Sequence, residues 1–118
     1  MVISNMAGLI NRAALVVKPR KPYLDWAASL DVEVPKHAEG RAERVSIYLV
    51  AEDPKGREET APIRDYYEDI FEAELDAWWT NEEQWPEPRT LKLFLEWFEV
   101  VGESVVTDLE SGPIIMEE

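Results

Sequence analysis

RAALVVKPRKPYLDWAASL, residues 12–30, changes its period halfway and in doing so sets the fold class. Its first part, Ala13–Val17, is a short apolar run rich in β-branched residues and bounded by Arg12 and Lys18, which reads as a strand buried on both faces. Pro19 and Pro22 end that strand. Beyond them Tyr23, Trp26, Ala27 and Leu30 recur at i, i+3, i+4 and i+7, the stripe of an amphipathic helix. A strand that turns into a helix through a proline-stiffened loop is the start of an α/β alternation.

The remaining chain continues it. Residues 32–43 show no sustained period and read as a connection. In RVSIYLVAE (44–52), Val45, Ile47, Leu49 and Ala51 alternate with Ser46 and Tyr48, a second strand, and DPKG (53–56) comes next as a turn. From Pro62 to about Trp79 a long helix collects Ile63, Tyr66, Tyr67, Ile70, Phe71, Ala77 and Trp78 on one broad face. Asp65, Glu68, Asp69, Glu72 and Asp76 fill the other. TNEE (80–83) has capping-box spacing with Thr80 as the cap, Pro86 and Pro88 stop that turn, and residues 90–98 resume helical spacing. VVGESVVTDL (100–109) reads as a third strand with Gly102 at a bulge or bend. The order β-α-β-α-α-β predicts an α+β, two-layer domain: a small mixed three-stranded sheet with helices on one face and a parallel crossover between the first two strands.

At 118 residues the chain is one domain, with residues 1–10 and 111–118 expected as flexible tails. It has no cysteine, which excludes disulfide and thiolate chemistry. No apolar run is long enough to span a bilayer. The start lacks a basic segment and its apolar part is interrupted by Asn11 and Arg12, which argues against a secretory signal, so cytoplasm is the default location. Met6 is an alternative start to Met1. The net charge of −13 is uneven: residues 1–24 hold four bases and no acid, and residues 52–118 hold 20 acids against five bases. Such a surface repels phosphate backbones and argues against direct nucleic acid binding.

NRAALVVKPRKPYLDW (11–26) and WPEPRTLKLFLEWFEV (85–100) together resemble a family of small acidic uncharacterised bacterial proteins. The shared features are Asn-Arg before a strand, Lys-Pro-x-x-Pro-Tyr-Leu-Asp-Trp into a helix, and an Arg-Thr-Leu-Lys helix ending in Trp-Phe. The resemblance implies a bacterial source and brings no activity, cofactor or site.

Four groups of residues invite chemistry. Lys18, Arg20 and Lys21 stand on a stiff loop at a helix N-terminus, a place that attracts phosphate or carboxylate, although bases in so acidic a chain also simply pair with neighbouring acids. Glu74 falls within the apolar face of the long helix. It must there be paired, with Arg89 or Arg12 as partners, or serve as a general acid or base. Asp65, Asp69, Glu72 and Asp76 form a stripe that reads as a solvated face and lacks the pattern of a metal site. His37, the single histidine, reads as an exposed loop residue, and no nucleophilic triad or glycine-rich phosphate loop is recognisable. The tryptophan-rich stretch DAWWTNEEQWPEP (76–88) reads as a structural corner between helices, with an aromatic ligand pocket as the alternative.

A small protein-interaction or regulatory module, with no cofactor and no metal, is the leading expectation. Its surface would be Trp79, Trp85 and the acidic stripe, and that corner also allows a homodimer. One alternative is a small-anion binder or enzyme using the KPRKP loop with Glu74. A nucleic acid mimic is the other.

Overall fold

The strand predicted first is the centre of the sheet. The computed structural model describes residues 8–30, 41–51 and 61–117. Within them the elements run β1 (Gly8–Leu9), β2 (Arg12–Pro19), α1 (Lys21–Ser29), β3 (Ser46–Ala51), α2 (Ala61–Trp78), α3 (Leu91–Trp97), β4 (Phe98–Glu103) and β5 (Thr107–Asp108), with short 3-10 turns at Arg41–Glu43 and Glu82–Gln84. The turn expected at 53–56 and most of the 32–43 connection lie outside the described residues, as does His37.

The α+β class and a three-stranded sheet carrying helices agree with the sequence. The order is β3-β2-β4, and both outer strands pair with β2 antiparallel, so the expected parallel crossover is corrected. A connection of this length permits either sense, and local sequence does not select between them.

Register divides the side chains between two faces. Ala13, Leu15 and Val17 of β2 lie opposite Val50, Tyr48 and Ser46 of β3, and Val17 also lies opposite Val100 of β4. This inner face is where the helices pack. Phe98 is the hub: its ring centroid is 5.1 Å from Tyr23 of α1, 5.7 Å from Phe71 of α2 and 5.2 Å from Phe94 of α3. Phe71, Phe94 and Phe98 are fully buried, as are Leu15, Val17 and Leu75. Large apolar side chains of this kind each contribute about 1.5–3 kcal/mol on burial, so this cluster supplies most of the driving force. The α1 and α3 ends are also joined through the backbone, Arg20 N–H donating to Trp97 C=O at 2.8 Å.

The expected third strand breaks into β4 and β5, and it starts at Phe98. After Glu103 pairs with Ala14, the four residues Ile10–Ala13 face the three residues Ser104–Val106, and pairing resumes at Leu9↔Thr107 and Gly8↔Asp108. Ile10 N–H donates to Val106 C=O at 2.9 Å across this bulge. Gly102, expected to mark a bend, instead pairs in register with Leu15. β1 and β5 thus form a separate antiparallel two-stranded ribbon that follows on from β2 and β4. Gly8–Ile10, assigned to a tail by the sequence, belong to this ribbon.

Side-chain caps start α3 and the 3-10 turn before it. Thr90 accepts from Leu93 N–H at 3.1 Å and starts α3. At the preceding turn the cap is Asn81, not Thr80: the Asn81 amide oxygen accepts from Glu83 N–H at 3.1 Å. Asparagine and threonine are both good caps, and the turn starts one residue later than the capping-box spacing suggests.

Candidate functional site

Among the described residues, Glu74 is the one acidic side chain buried in the core, at 9% exposure. It sits on α2 where the helix crosses β3. Its carboxylate accepts from Tyr48 Oη at 2.7 Å and from Ser46 Oγ at 3.1 Å to both oxygens. Tyr23 Oη, from α1, donates to the Glu74 backbone carbonyl at 3.0 Å. The partners expected for it are elsewhere. Arg89 pairs with Glu87 and, at 3.8 Å, with Glu72, and Arg12 is exposed and bonds to Asn11 C=O. A carboxylate can be satisfied by hydroxyl donors as well as by a guanidinium, and β3 offers two on alternate residues of its inner face.

Burial raises the Tyr48 phenol well above its ordinary range, reinforced by the hydrogen bond to Glu74 and by its charge. Burial also raises Tyr23, with the Glu74 charge adding to the shift and Arg44 opposing it. Both phenols are thus held as neutral donors. The group borders a cleft of about 40 Å³ walled by Tyr23, Ala42, Arg44, Ser46, Glu74, Ala77 and Trp78. A site of that size admits about three waters, whereas small-molecule sites run to about 300 Å³ and above.

The basic loop is not part of this cleft. Successive strand residues point to opposite faces, so Lys18 lies on the outer side of the sheet, opposite Glu99, while Glu74 packs on the inner side. Arg20 is the exposed N-cap of α1, and Lys21 pairs with Asp25 at 2.7 Å, both ends exposed. Asp65, Asp69, Glu72 and Asp76 are exposed on α2. Among the described residues no three acidic or histidine side chains converge to hold a metal ion. Nor is any described helix long and apolar enough to cross a membrane.

The tryptophans lace the corner together. Trp26 Nε1 donates to Gln84 C=O at 2.9 Å, Trp78 Nε1 to Ala27 C=O at 3.2 Å, and Trp85 Nε1 to Trp79 C=O at 2.7 Å. Trp79 Nε1 reaches Gln84 Oε1 at 2.6 Å. Arg89 lies 5.6 Å over the Trp85 ring. Trp85 retains only 8% exposure, and Trp79 is half-buried. An indole N–H has a single proton to donate, so these four are committed to holding the helices and the turn in place.

A surface that the sequence did not single out lies on the other side of the sheet. There Val16 of β2 is flanked by Ile47 of β3 and Val101 of β4, and Ala14 is flanked by Leu49 and Glu103. Ile47 is 67% exposed and Leu49 48%, and Val101 is also exposed. The apolar alternation of β3 would ordinarily be read as its core face. Here it points outward, and the polar set Ser46 and Tyr48 points in. The one related signal in the sequence is Glu74, which needs donors from a neighbouring element, but it does not say that β3 supplies them.

Against protein-family models, curated proteins and solved structures, the chain finds no match.

Proposed function

We propose that this chain is a protein-interaction module that presents the outer face of its sheet to a partner. The observation that carries this reading is the exposure of Ile47, Leu49 and Val101 beside the half-buried Val16, on the face of the sheet opposite the helices. Three strands spaced by about 4.8 Å, with four side-chain rows, give a face of about 350 Å², of which the two middle rows, Val16, Ile47 and Val101 with Ala14 and Leu49, form an apolar strip of about 200 Å². The stripe Asp65, Asp69, Glu72 and Asp76 has a secondary part in this reading: it repels other acidic surfaces and so limits which partners approach. The tiny Glu74 cleft and the internal bonding of the tryptophans favour this reading over a small-ligand site.

The test is site-specific photo-crosslinking in cell extract, with benzoylphenylalanine placed singly at Ile47, Val101, Asp69 or Glu72. Adducts are expected at Ile47 and Val101 and not on the helix. Adducts confined to Asp69 and Glu72 would move the interface to the acidic stripe and overturn the proposal.

A further inference from the structure

We infer that the occupant of the outer face is the β1–β5 arm and C-terminal segment of a second copy of this chain, in a reciprocal exchange; this rests on the interaction reading above. Leu95 apart, every large apolar side chain that is exposed among the described residues lies in one of two places. One is the outer face and its border. The other is the arm and the segment C-terminal to it: Leu9, Val105, Leu109, Ile114, Ile115 and Met116. Two apolar surfaces on one chain, neither covered, suit each other.

The ribbon leaves its own face open: Leu9 and Val105 on it and Ile47, Leu49 and Val101 on the face are all exposed in the same molecule. Charge also favours another copy here. The outer face carries Arg12 and Lys18 against Glu99 and Glu103, a balance of zero in a molecule of net charge −13. The arm from residue 104 to 117 holds Asp108, Glu110 and Glu117 and no base, so the neutral face repels it less than the acidic remainder of the molecule would. Two α2 faces, by contrast, would repel.

Area points to the reciprocal form. A stable pair buries about 800 Å² per partner, and the face alone supplies about 350 Å². If each copy contributes both a face and an arm, the two contacts together approach the requirement, with the two-fold symmetry usual for homodimers.

Sedimentation of the full chain over a hundredfold dilution tests this. The expected species has twice the chain mass of 13.6 kDa. Ile47→Lys with Leu49→Lys alters only the face, and Ile114→Lys with Ile115→Lys alters only the arm. All four positions are exposed, so circular dichroism should be unchanged. Each double variant should dimerise at least about tenfold more weakly than the parent. An equimolar mixture of the two should associate more tightly than either variant alone, though less tightly than the parent, because one unaltered arm then meets one unaltered face. A parent that is monomeric throughout, or a dimer indifferent to the face variant, overturns the inference. A face-dependent dimer that mixing fails to tighten also overturns it, assigning face-to-face packing instead. If the parent is monomeric yet crosslinks at Ile47 in extract to a different protein, the interaction reading stands and the second copy falls. If it is monomeric and shows no such crosslink, both fall.

Discussion

Replacing Tyr48 with phenylalanine removes one hydroxyl and leaves the ring that packs on the inner sheet face. That hydroxyl donates to Glu74 Oε2 at 2.7 Å, a charge-assisted bond inside a cleft that few waters can enter. Hydrogen bonds to charged groups contribute about 1.5–3 kcal/mol. Ser46 remains within 3.1 Å of both carboxylate oxygens, and one water can take the vacated position, which places the expected loss near the lower end, about 1.5–2 kcal/mol. For a domain of this length about 1 kcal/mol corresponds to about 4 °C, so Tm should fall by about 6–8 °C. Urea unfolding followed by tryptophan fluorescence reads the same quantity, with five indoles as reporters. The decisive control is a double-mutant cycle with Glu74→Leu. With the carboxylate gone the hydroxyl has lost its acceptor, and Tyr48→Phe should then cost less than about 0.5 kcal/mol. A loss of equal size in both backgrounds would show that the Tyr48 hydroxyl acts through something other than Glu74 and would refute the reading of Glu74 as the acceptor that fixes β3.

The raised phenols of Tyr23 and Tyr48 set an alkaline limit. A folded-state value above the ordinary 10 means that the native state holds protons the unfolded chain has released, so their contribution is complete below about pH 10 and is lost as pH rises beyond it. The urea midpoint should therefore fall steeply above pH 10, and less steeply in Tyr48→Phe; parallel pH curves for the two proteins would contradict the assignment. At the corner, Trp85→Phe deletes the donor to Trp79 C=O while keeping an aromatic ring, and should cost about 1–3 kcal/mol through the carbonyl left without its partner, measured by the same unfolding assay. A cost near zero would mean that the corner is open enough for water to replace the indole.

Elements with a long, clean period were readable without coordinates. Residues 12–18, 23–30 and 62–79 carry their periods in local sequence, and the prolines at 19 and 22 mark one boundary. What local sequence does not contain is the sense and phase of pairing. The antiparallel placement of β3 depends on where a long connection returns, and the bulge between β4 and β5 depends on a count of four residues against three on a distant strand. Glu74 was readable as a problem because it interrupts an apolar stripe. Its solution was not, because Ser46 and Tyr48 lie 28 and 26 residues away on a strand whose phase the alternation alone assigns the wrong way.

That phase is itself a matter of magnitudes. Sliding β3 by one residue would exchange its faces, sending Ile47 and Leu49 into the core and Ser46 and Tyr48 to solvent. The gain from the two aliphatic side chains would be about 1.5–3 kcal/mol each at full burial. The loss would include both hydroxyl donors to a carboxylate that is only 9% exposed, leaving a charge with no partner from the sheet, and a stranded buried charge costs about 3–5 kcal/mol. Tyr48 and its ring contacts would be lost in addition, which tips the comparison toward the observed register. The observed register therefore keeps Val50, Tyr48 and Ser46 inside together with Glu74, and leaves Ile47 and Leu49 outside. The consequence is a sheet with one face filled by the core and the other left with burial energy unspent, and that energy is available to whatever covers Val16, Ile47, Leu49 and Val101.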